Sequence, residues 1–306
     1  MIVVFGTVNV DMITRVPRLP SPGQEVKGRA LEVMPGGKGA NQALAALRAG
    51  GKVALGGAVG ADPLAEIALA GIRAAGVDLA RVAVSRTSGT GSHMVAIDGS
   101  GENLMIGADG ANLDATADLL DGAFGPDVVF LTQNSLTPSE VARAIAAAAA
   151  AGARIVFNAA PTEGTVEASF AAAEVIVVNE HEGLALARRF GLSEEPGEIA
   201  AGLSGRFDAD VVVTLGSAGL RAATRAGRRL IGRPPRIAAL DTTGAGDAFC
   251  GTLAAALDRG ETFETALAEG LAAGALACRT VGAQGGARDL DEIRAAARQA
   301  VVTDDG

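Results

Sequence analysis

The chain has no tryptophan, no tyrosine and only nine phenylalanines. Few platforms remain on which the bases of a single-stranded nucleic acid would stack. Positive charge is short as well: the net charge is −9, no basic run appears, and Arg228-Arg229 falls in an expected turn. A phosphate backbone needs clustered Lys and Arg, so no nucleic acid partner is expected. The two histidines, His93 and His181, are each isolated, which argues against a histidine metal site. The two cysteines, Cys250 and Cys278, fall in apolar helical patterns and read as small core residues in a reducing compartment. The most apolar region, residues 144–157, is mostly alanine interrupted by Gly152 and Arg154, so no membrane association is expected. Met1 leads straight into Ile2-Val3-Val4-Phe5, with no basic start or cleavage signal, and the expected location is cytoplasmic.

What the chain does have is alternation. Its 306 residues allow one large or two unequal domains at about 150 residues each. Short β-branched runs recur at residues 2–5, 52–55, 128–131, 154–157, 175–178 and 211–215. Helical stretches lie between most of them, at 40–48 before Gly50-Gly51 and at 63–75 before Gly76. Another opens at Thr137-Pro138-Ser139-Glu140, which reads as a capping box with proline at the first helical position, and runs to about residue 151. Strands buried on both faces and alternating with helices predict an α/β fold, three-layer α/β/α around a mainly parallel sheet.

Two segments break the alternation. Residues 11–33 hold Pro17, Pro20 and Pro22 between short extended pieces, and residues 87–106 read as a hairpin, 92–97 and 103–106, about Asp98-Gly99-Ser100-Gly101. Together they are expected to form a small β lid, leaving residues 1–10, 34–86 and 107–306 as the large catalytic domain; ordinary surface hairpins are the plainer alternative. Residues 220–231 read as an edge hairpin about Gly227, and Asp304-Asp305-Gly306 as a frayed tail.

Several motifs stand where these elements end. In Gly6-Thr7-Val8-Asn9-Val10-Asp11, Asn9 and Asp11 share a side and suit vicinal hydroxyls, although an Asx turn explains them equally. Gly36-Gly37-Lys38-Gly39-Ala40-Asn41-Gln42 enters a helix but lacks the spacing of a Walker loop, and Gln42 replaces the third glycine of a dinucleotide fingerprint. Its glycines are expected to let a ligand approach the backbone, with Lys38 and Asn41 donating hydrogen bonds; a structural turn is the alternative. Asn179-Glu180-His181-Glu182 follows a strand, where α/β sheets bind ligands, and its oxygens suit Mg²⁺ held through water, with helix capping by Asn179 in competition. Thr214-Leu215-Gly216-Ser217-Ala218-Gly219 suits a nucleotide phosphate tail, and Gly282-Ala283-Gln284-Gly285-Gly286 is a glycine loop after an alanine-rich helix.

The most informative stretch is Asp241-Thr242-Thr243-Gly244-Ala245-Gly246-Asp247-Ala248-Phe249-Cys250-Gly251. A β-like run at 237–240 leads into two glycines, after which Phe249, Leu253 and Leu257 recur at helical spacing before Gly260. Such a loop aims free N–H groups at one spot at the positive end of a helix, which makes an anion site. Asp247 reads either as a helix cap or as a base that deprotonates a nucleophile attacking the anion.

These motifs, in this order, resemble the ribokinase-like carbohydrate kinase (PfkB) family nearly end to end. Residues 36–41 resemble its first signature and residues 241–247 its second, with Gly101-Glu102-Asn103, Asn179-x-x-Glu182, 214–219 and Gly282-Ala283-Gln284 in family order. The resemblance implies an enzyme, an ATP-dependent kinase of a sugar primary alcohol. It implies Asp247 as general base and the N–H groups of Gly244, Ala245 and Gly246 as stabilisers of the transferred phosphoryl. Asn179 and Glu182 would position Mg²⁺ through water. Thr214, Gly216, Ser217 and Gly219 would line the ATP site, with the helix around Gly270 and Ala273 beside the adenine. Asn9, Asp11, Gly37, Lys38 and Asn41 would grip the sugar. Asp241, Thr243, Ala277, Thr280, Gly282 and Gly285 would surround a monovalent cation, usually K⁺, and the lid would double as the clasp of a homodimer.

Within the family, the motifs around Asn9 and Lys38 lean toward ribokinases, which implies conversion of D-ribose to D-ribose 5-phosphate. Ribokinases carry a sugar-binding glutamate where this chain has Gln133-Asn134-Ser135, with Ser135 in its place. That change removes a charge-assisted acceptor. A ketohexose, a 2-keto-3-deoxy acid or a nucleoside therefore stays open, the last disfavoured by the lack of aromatics. Gly285-Gly286 also replaces a Pro-Ser pair common in the cation loop. A sugar- or nucleotide-binding regulator without turnover is the alternative of another class, and the intact Asp247 and glycine hole speak against it.

Overall fold

In the computed structural model, which describes residues 1–286 and 289–305, the first strand, β1 (Ile2–Phe5), is buried on both faces. Alternation sends Ile2 and Val4 to one core and Val3 and Phe5 to another. Each such side chain contributes roughly 1.5–3 kcal/mol by leaving water. After β1 come β2 (Asn9–Arg15), β3 (Leu31–Gly36), α1 (Lys38–Arg48), β4 (Val53–Gly60) and α2 (Pro63–Ala75). Then follow β5 (Asp78–Ser85), β6 (Gly91–Ile97), β7 (Asn103–Ala108), β8 (Val129–Gln133), α3 (Pro138–Ala150) and β9 (Arg154–Asn158). The middle of the chain holds α4 (Glu167–Ala171), β10 (Val175–Asn179), α5 (Glu180–Phe190), α6 (Pro196–Phe207) and β11 (Asp210–Thr214). It finishes with β12 (Leu220–Ala223), β13 (Arg229–Arg233), α7 (Ala245–Asp258), α8 (Phe263–Ala277), α9 (Leu290–Ala297) and β14 (Val301–Asp304).

The main sheet has ten strands in the order β14-β13-β12-β11-β10-β9-β8-β1-β4-β5. Neighbours run parallel from β11 across to β5, while β12, β13 and β14 extend it antiparallel. Helices α1, α2, α7, α8 and α9 cover one face and α3 to α6 the other. This is the three-layer architecture that the alternation predicts. A separate four-stranded sheet, β3-β2-β6-β7, comes from the two segments that break it, with β2 and β6 parallel and the outer pairs antiparallel.

Several local expectations are corrected. Thr137 precedes α3 but makes no side-chain cap, and the Glu140 side chain, instead of closing the box, accepts from the Ala117 N–H at 2.8 Å and pairs with Arg143. Residues 237–240 form no strand; they cross open ground, with Leu240 74% exposed. The C-terminal residues are not all frayed: β14 pairs with β13 at the sheet edge, and Arg228 binds the Asp304 carboxylate at 3.0 Å. β4 continues past residue 55 through Gly56-Gly57, since Gly57 lies where a Cβ would press on the Gly6 carbonyl. β5 escaped notice because its edge position leaves it half exposed and mixed in pattern.

Helices α1 and α7 pack closely because Gly251 faces the α1 backbone, and a Cβ there would collide with the Gln42 carbonyl. Gly251→Ala is therefore expected to lower stability by about 1–3 kcal/mol through overpacking. Gly205→Ala, on an open face of α6, should raise it by about 0.4–1 kcal/mol. Urea midpoints of the two variants check the contrast, and equal midpoints would remove the close-packing argument.

Candidate active site

The C-terminal ends of β1, β8, β10 and β11 open on one edge of the sheet, where parallel sheets bind ligands. Asp247 lies at that edge in the first turn of α7, buried. It does not cap the helix: the N-cap is Gly244, with no side-chain bond to the helix end. Asn41 Nδ2 donates to Asp247 Oδ2 at 3.0 Å and Gln42 Nε2 donates to Oδ1 at 2.9 Å. Each carboxylate oxygen keeps acceptor capacity for a further partner.

Gly244 has a left-handed φ of 77°, and a Cβ there would strike the backbone of Ala283. Of the three amides expected in the anion hole, that of Ala245 is engaged, donating to the Thr242 carbonyl at 3.2 Å. The N–H groups of Gly244 and Gly246 have no partner among the described residues, as expected at a helix start. The space before Gly246 is open.

That space joins a cavity of about 470 Å³ lined by Thr214, Gly216, Ser217, Gly219, Gly246 and Gly270. The volume and mixed lining fit a nucleotide. Ala273 is not part of it: Gly270, Leu271 and Gly274 turn toward the cavity, while Ala273 lies on another face of α8 beside Arg48 and Thr252. Pro234, Pro235, Arg236 and Ile237 also line the cavity. No motif marks an irregular segment, so sequence reasoning missed them. Cys278 borders the same cavity, whereas Cys250 is an interior thiol that burial pushes far up.

Asn179 and Glu182 form a reciprocal capping box on α5. Asn179 Oδ1 accepts from the Glu182 N–H at 2.8 Å and Glu182 Oε2 from the Asn179 N–H at 2.9 Å. Burial raises the Glu182 carboxyl above its usual value, and Lys38 pulls in the opposite direction. Its other oxygen carries no hydrogen bond among the described residues.

In the small sheet, β2 and β6 bring together a polar cluster. The parallel register sets Asp11 beside His93, with His93 Nδ1 at 3.2 Å from Asp11 Oδ1 and 3.3 Å from Asn9 Nδ2. Asn112 Nδ2 donates to Asn9 Oδ1 at 2.6 Å. His93 is therefore not isolated; only the pairing of two distant strands reveals its partners. The Lys38 charge acts to lower the pKa of both His93 and Glu182. Gly37 and Gly39 serve packing: a Cβ on Gly39 would lie 2.7 Å from the Gly6 Cα, and one on Gly37 would press on the backbone of Thr7. Ser135 Oγ lies 3.4 Å from Thr7 Oγ1, while Asn134 is committed to the carbonyls of Pro161 and Glu163.

Asp241 joins the two late loops. Its Oδ1 accepts from the N–H and hydroxyl of Thr243, and its Oδ2 from the Gly282 N–H at 2.9 Å. Burial pushes this carboxyl up, but the bonds from Gly282 and Thr243 prevail and hold it below the usual range. Thr280 Oγ1 contacts the Ala277 carbonyl and accepts from the Gly286 N–H. The Gly285 carbonyl accepts from the Arg48 guanidinium at 2.7 Å.

Asp247 lies in the first turn of α7, whose Gly246 also lines the nucleotide-sized cavity, an arrangement compatible with phosphoryl transfer. The family model of pfkB carbohydrate kinases matches residues 1–290. The chain belongs to this family. It is an ATP-dependent carbohydrate kinase by that membership. It is 32% identical over 298 residues to the ribokinase of Bacillus subtilis, covering 95% of this chain and 97% of that one. It is 33% identical over 287 residues to the ATP-dependent ribose-1-phosphate kinase of Halopiger xanaduensis, covering 91% and 92%. The crystal structure of a Thermotoga maritima ribokinase superposes with a TM-score of 0.88 at 27% identity, covering 97% of this chain and 99% of that one.

The His93–Asp11 hydrogen bond, reinforced by the charges of Asp11 and Asp109, raises the His93 imidazole above its ordinary 6.5, against burial and Lys38. This pair contributes stability that is fully present below the ordinary value and lost as pH rises through the folded one. With only one other histidine in the chain, an NMR titration resolves His93 directly. Asp11→Asn should bring its midpoint down toward 6.5, and an unchanged midpoint would dismiss the pairing.

Proposed function

We propose that this kinase transfers the γ-phosphoryl of ATP to the 5-hydroxyl of D-ribose, with Asp247 as general base. The observation that carries the reading is the two-amide grip on Asp247 in the first turn of α7, beside the unpartnered amides of Gly244 and Gly246. In the step, Asp247 takes the hydroxyl proton as the sugar oxygen bonds to the γ-phosphorus. The bond to the bridging oxygen breaks, and ADP leaves. Amides at the start of α7 stabilise the charge spread over the phosphoryl oxygens. The cavity at Thr214 to Gly219 takes the nucleotide, and the likeness to the Bacillus subtilis ribokinase supports ribose among the sugars.

Glu182, half-buried with one unpartnered oxygen, fits a carboxylate that reaches Mg²⁺ through water, with Asn179 fixing its start of helix. Mg²⁺ would supply charge neutralisation on the ATP phosphates. Asp241, Thr243, Ala277, Thr280, Gly282 and Gly285 would frame a K⁺ site, the Gly285 carbonyl keeping a second lone pair beside the Arg48 guanidinium. We place the enzyme in the cytoplasm, and no helix among the described residues is long and apolar enough to cross a membrane.

A coupled ADP-release assay over pentoses, ketohexoses, 2-keto-3-deoxy acids and nucleosides, with and without K⁺, tests the reading. Ribose should give the highest kcat/KM, and Asp247→Asn should cut kcat by about 10²–10⁴-fold with ATP affinity kept. A preference for another acceptor would replace ribose, and ATP binding without ADP release on any acceptor would favour the regulator.

The small sheet exposes Leu31, Val33, Met94, Leu104 and Ile106 on one face, more apolar surface than a solvated sheet face needs. In our reading this lid is the clasp of a homodimer. Leu104→Glu with Ile106→Lys should halve the mass seen by light scattering, and an unchanged mass would exclude the lid as the interface.

A further inference from the structure

Behind Asp247 lies a buried run of amides that the proposed reaction does not itself call for. Gln42 and Gln133 are wholly buried and Asn158 nearly so. An ionised carboxylate only accepts hydrogen bonds, so the Gln42 NH₂ must face Asp247. The same NH₂ donates to Asn158 Oδ1 at 3.1 Å. Asn158 confirms that polarity, since its own NH₂ donates to the Val177 carbonyl at 3.1 Å. Gln42 Oε1 is then left to accept from Gln133 Nε2 at 2.7 Å. Gln133 Oε1 in turn faces the Ser135 hydroxyl at 3.5 Å, next to Thr7 Oγ1, which accepts from the Lys38 N–H at 3.1 Å. The donor-to-acceptor sense of every member follows from the charge on Asp247.

We propose that Gln42 is a positioning residue, which with Gln133 ties the carboxylate of Asp247 to the sugar-side loop at Ser135. This inference rests on the reading of Asp247 as the general base. Gln42 bonds one carboxylate oxygen and so sets the rotation of the group about its own axis, leaving the remaining lone pairs aimed at the substrate. Gln133 fixes the Gln42 amide against the half-turn that would point its oxygen at a carboxylate. Ser135 stands at the far end, so a change at the sugar-side loop is transmitted to the base through two side chains and no moving backbone. An amide run of this kind is satisfied in one polarity only, and a partial break costs more than its pairwise bonds suggest.

The test compares Gln42→Met, Gln42→Glu and Gln133→Met in the full chain, with thermal melting to verify that each is folded. Gln42→Met should lower kcat by about 10- to 100-fold, the scale of a misaligned reacting group, with sugar KM changed less than threefold. Its acid limb in the kcat–pH profile should move to higher pH, because a donor to the charged form is gone. Gln42→Glu should move that limb further, since a second carboxylate then faces the first. Gln133→Met should give a smaller loss of kcat in the same direction. Folded variants with wild-type kcat and an unmoved acid limb would overturn the positioning role, as would a loss confined to KM. If Asp247→Asn itself keeps its rate, the base reading fails; if it is inactive while the Gln42 variants keep rate and profile, only the present inference fails.

Discussion

Everything at this site depends on burying one carboxylate that meets no cation among the described residues. Asp247 is held by two neutral amides from consecutive residues of a neighbouring helix. A hydrogen bond to a charged group contributes about 1.5–3 kcal/mol, enough to offset part of its desolvation, and neutral donors leave a carboxylate free to take a proton. Meeting both oxygens requires α1 and α7 to approach closely, which Gly251 permits by leaving the Gln42 carbonyl unobstructed. Helix packing and the proposed acid–base chemistry are one requirement here.

The rest of the molecule is arranged around that crossing. The parallel sheet delivers the ends of β1, β8, β10 and β11 to the same edge, so side chains more than a hundred residues apart meet there. The loop at 282–286 is tied down by Arg48 and Asp241 and presses on Gly244. Its Gln284 donates to Asn41 Oδ1 at 3.3 Å, so the anion loop and the amide grip share one support. The small sheet, joined through β2, brings Asn9, Asp11 and His93 together.

Much of this was legible in residues. The β-branched runs and capping glycines located the sheet, because strands buried on both faces must be apolar throughout and helix ends favour positive φ. Asp247 and its glycines were legible because an anion hole at a helix start needs that spacing. What stayed hidden had physical reasons. His93 looked solitary because its partners come from a strand eighty residues earlier. Ala273, placed beside the nucleotide by family resemblance alone, turns to another face of α8, a rotation that an alanine-rich helix with no clear apolar stripe does not reveal. Thr137 and Glu140 looked like a capping box because local pattern does not reveal that Glu140 has a partner in Ala117.

The sequence alone determined the layers, the strand-end loops and the chemical types available at them, since these follow from periodicity and local backbone preference. Tertiary structure decided which polar groups satisfy one another. It turned Asp247 from a possible cap into a gripped carboxylate and Asn179 with Glu182 into a reciprocal cap. It also gave the Ala245 amide a partner and left those of Gly244 and Gly246 without one among the described residues. Such choices depend on contacts between distant segments, where a buried donor bonds whichever acceptor the packing brings within three ångströms, and no spacing along the chain specifies that distance.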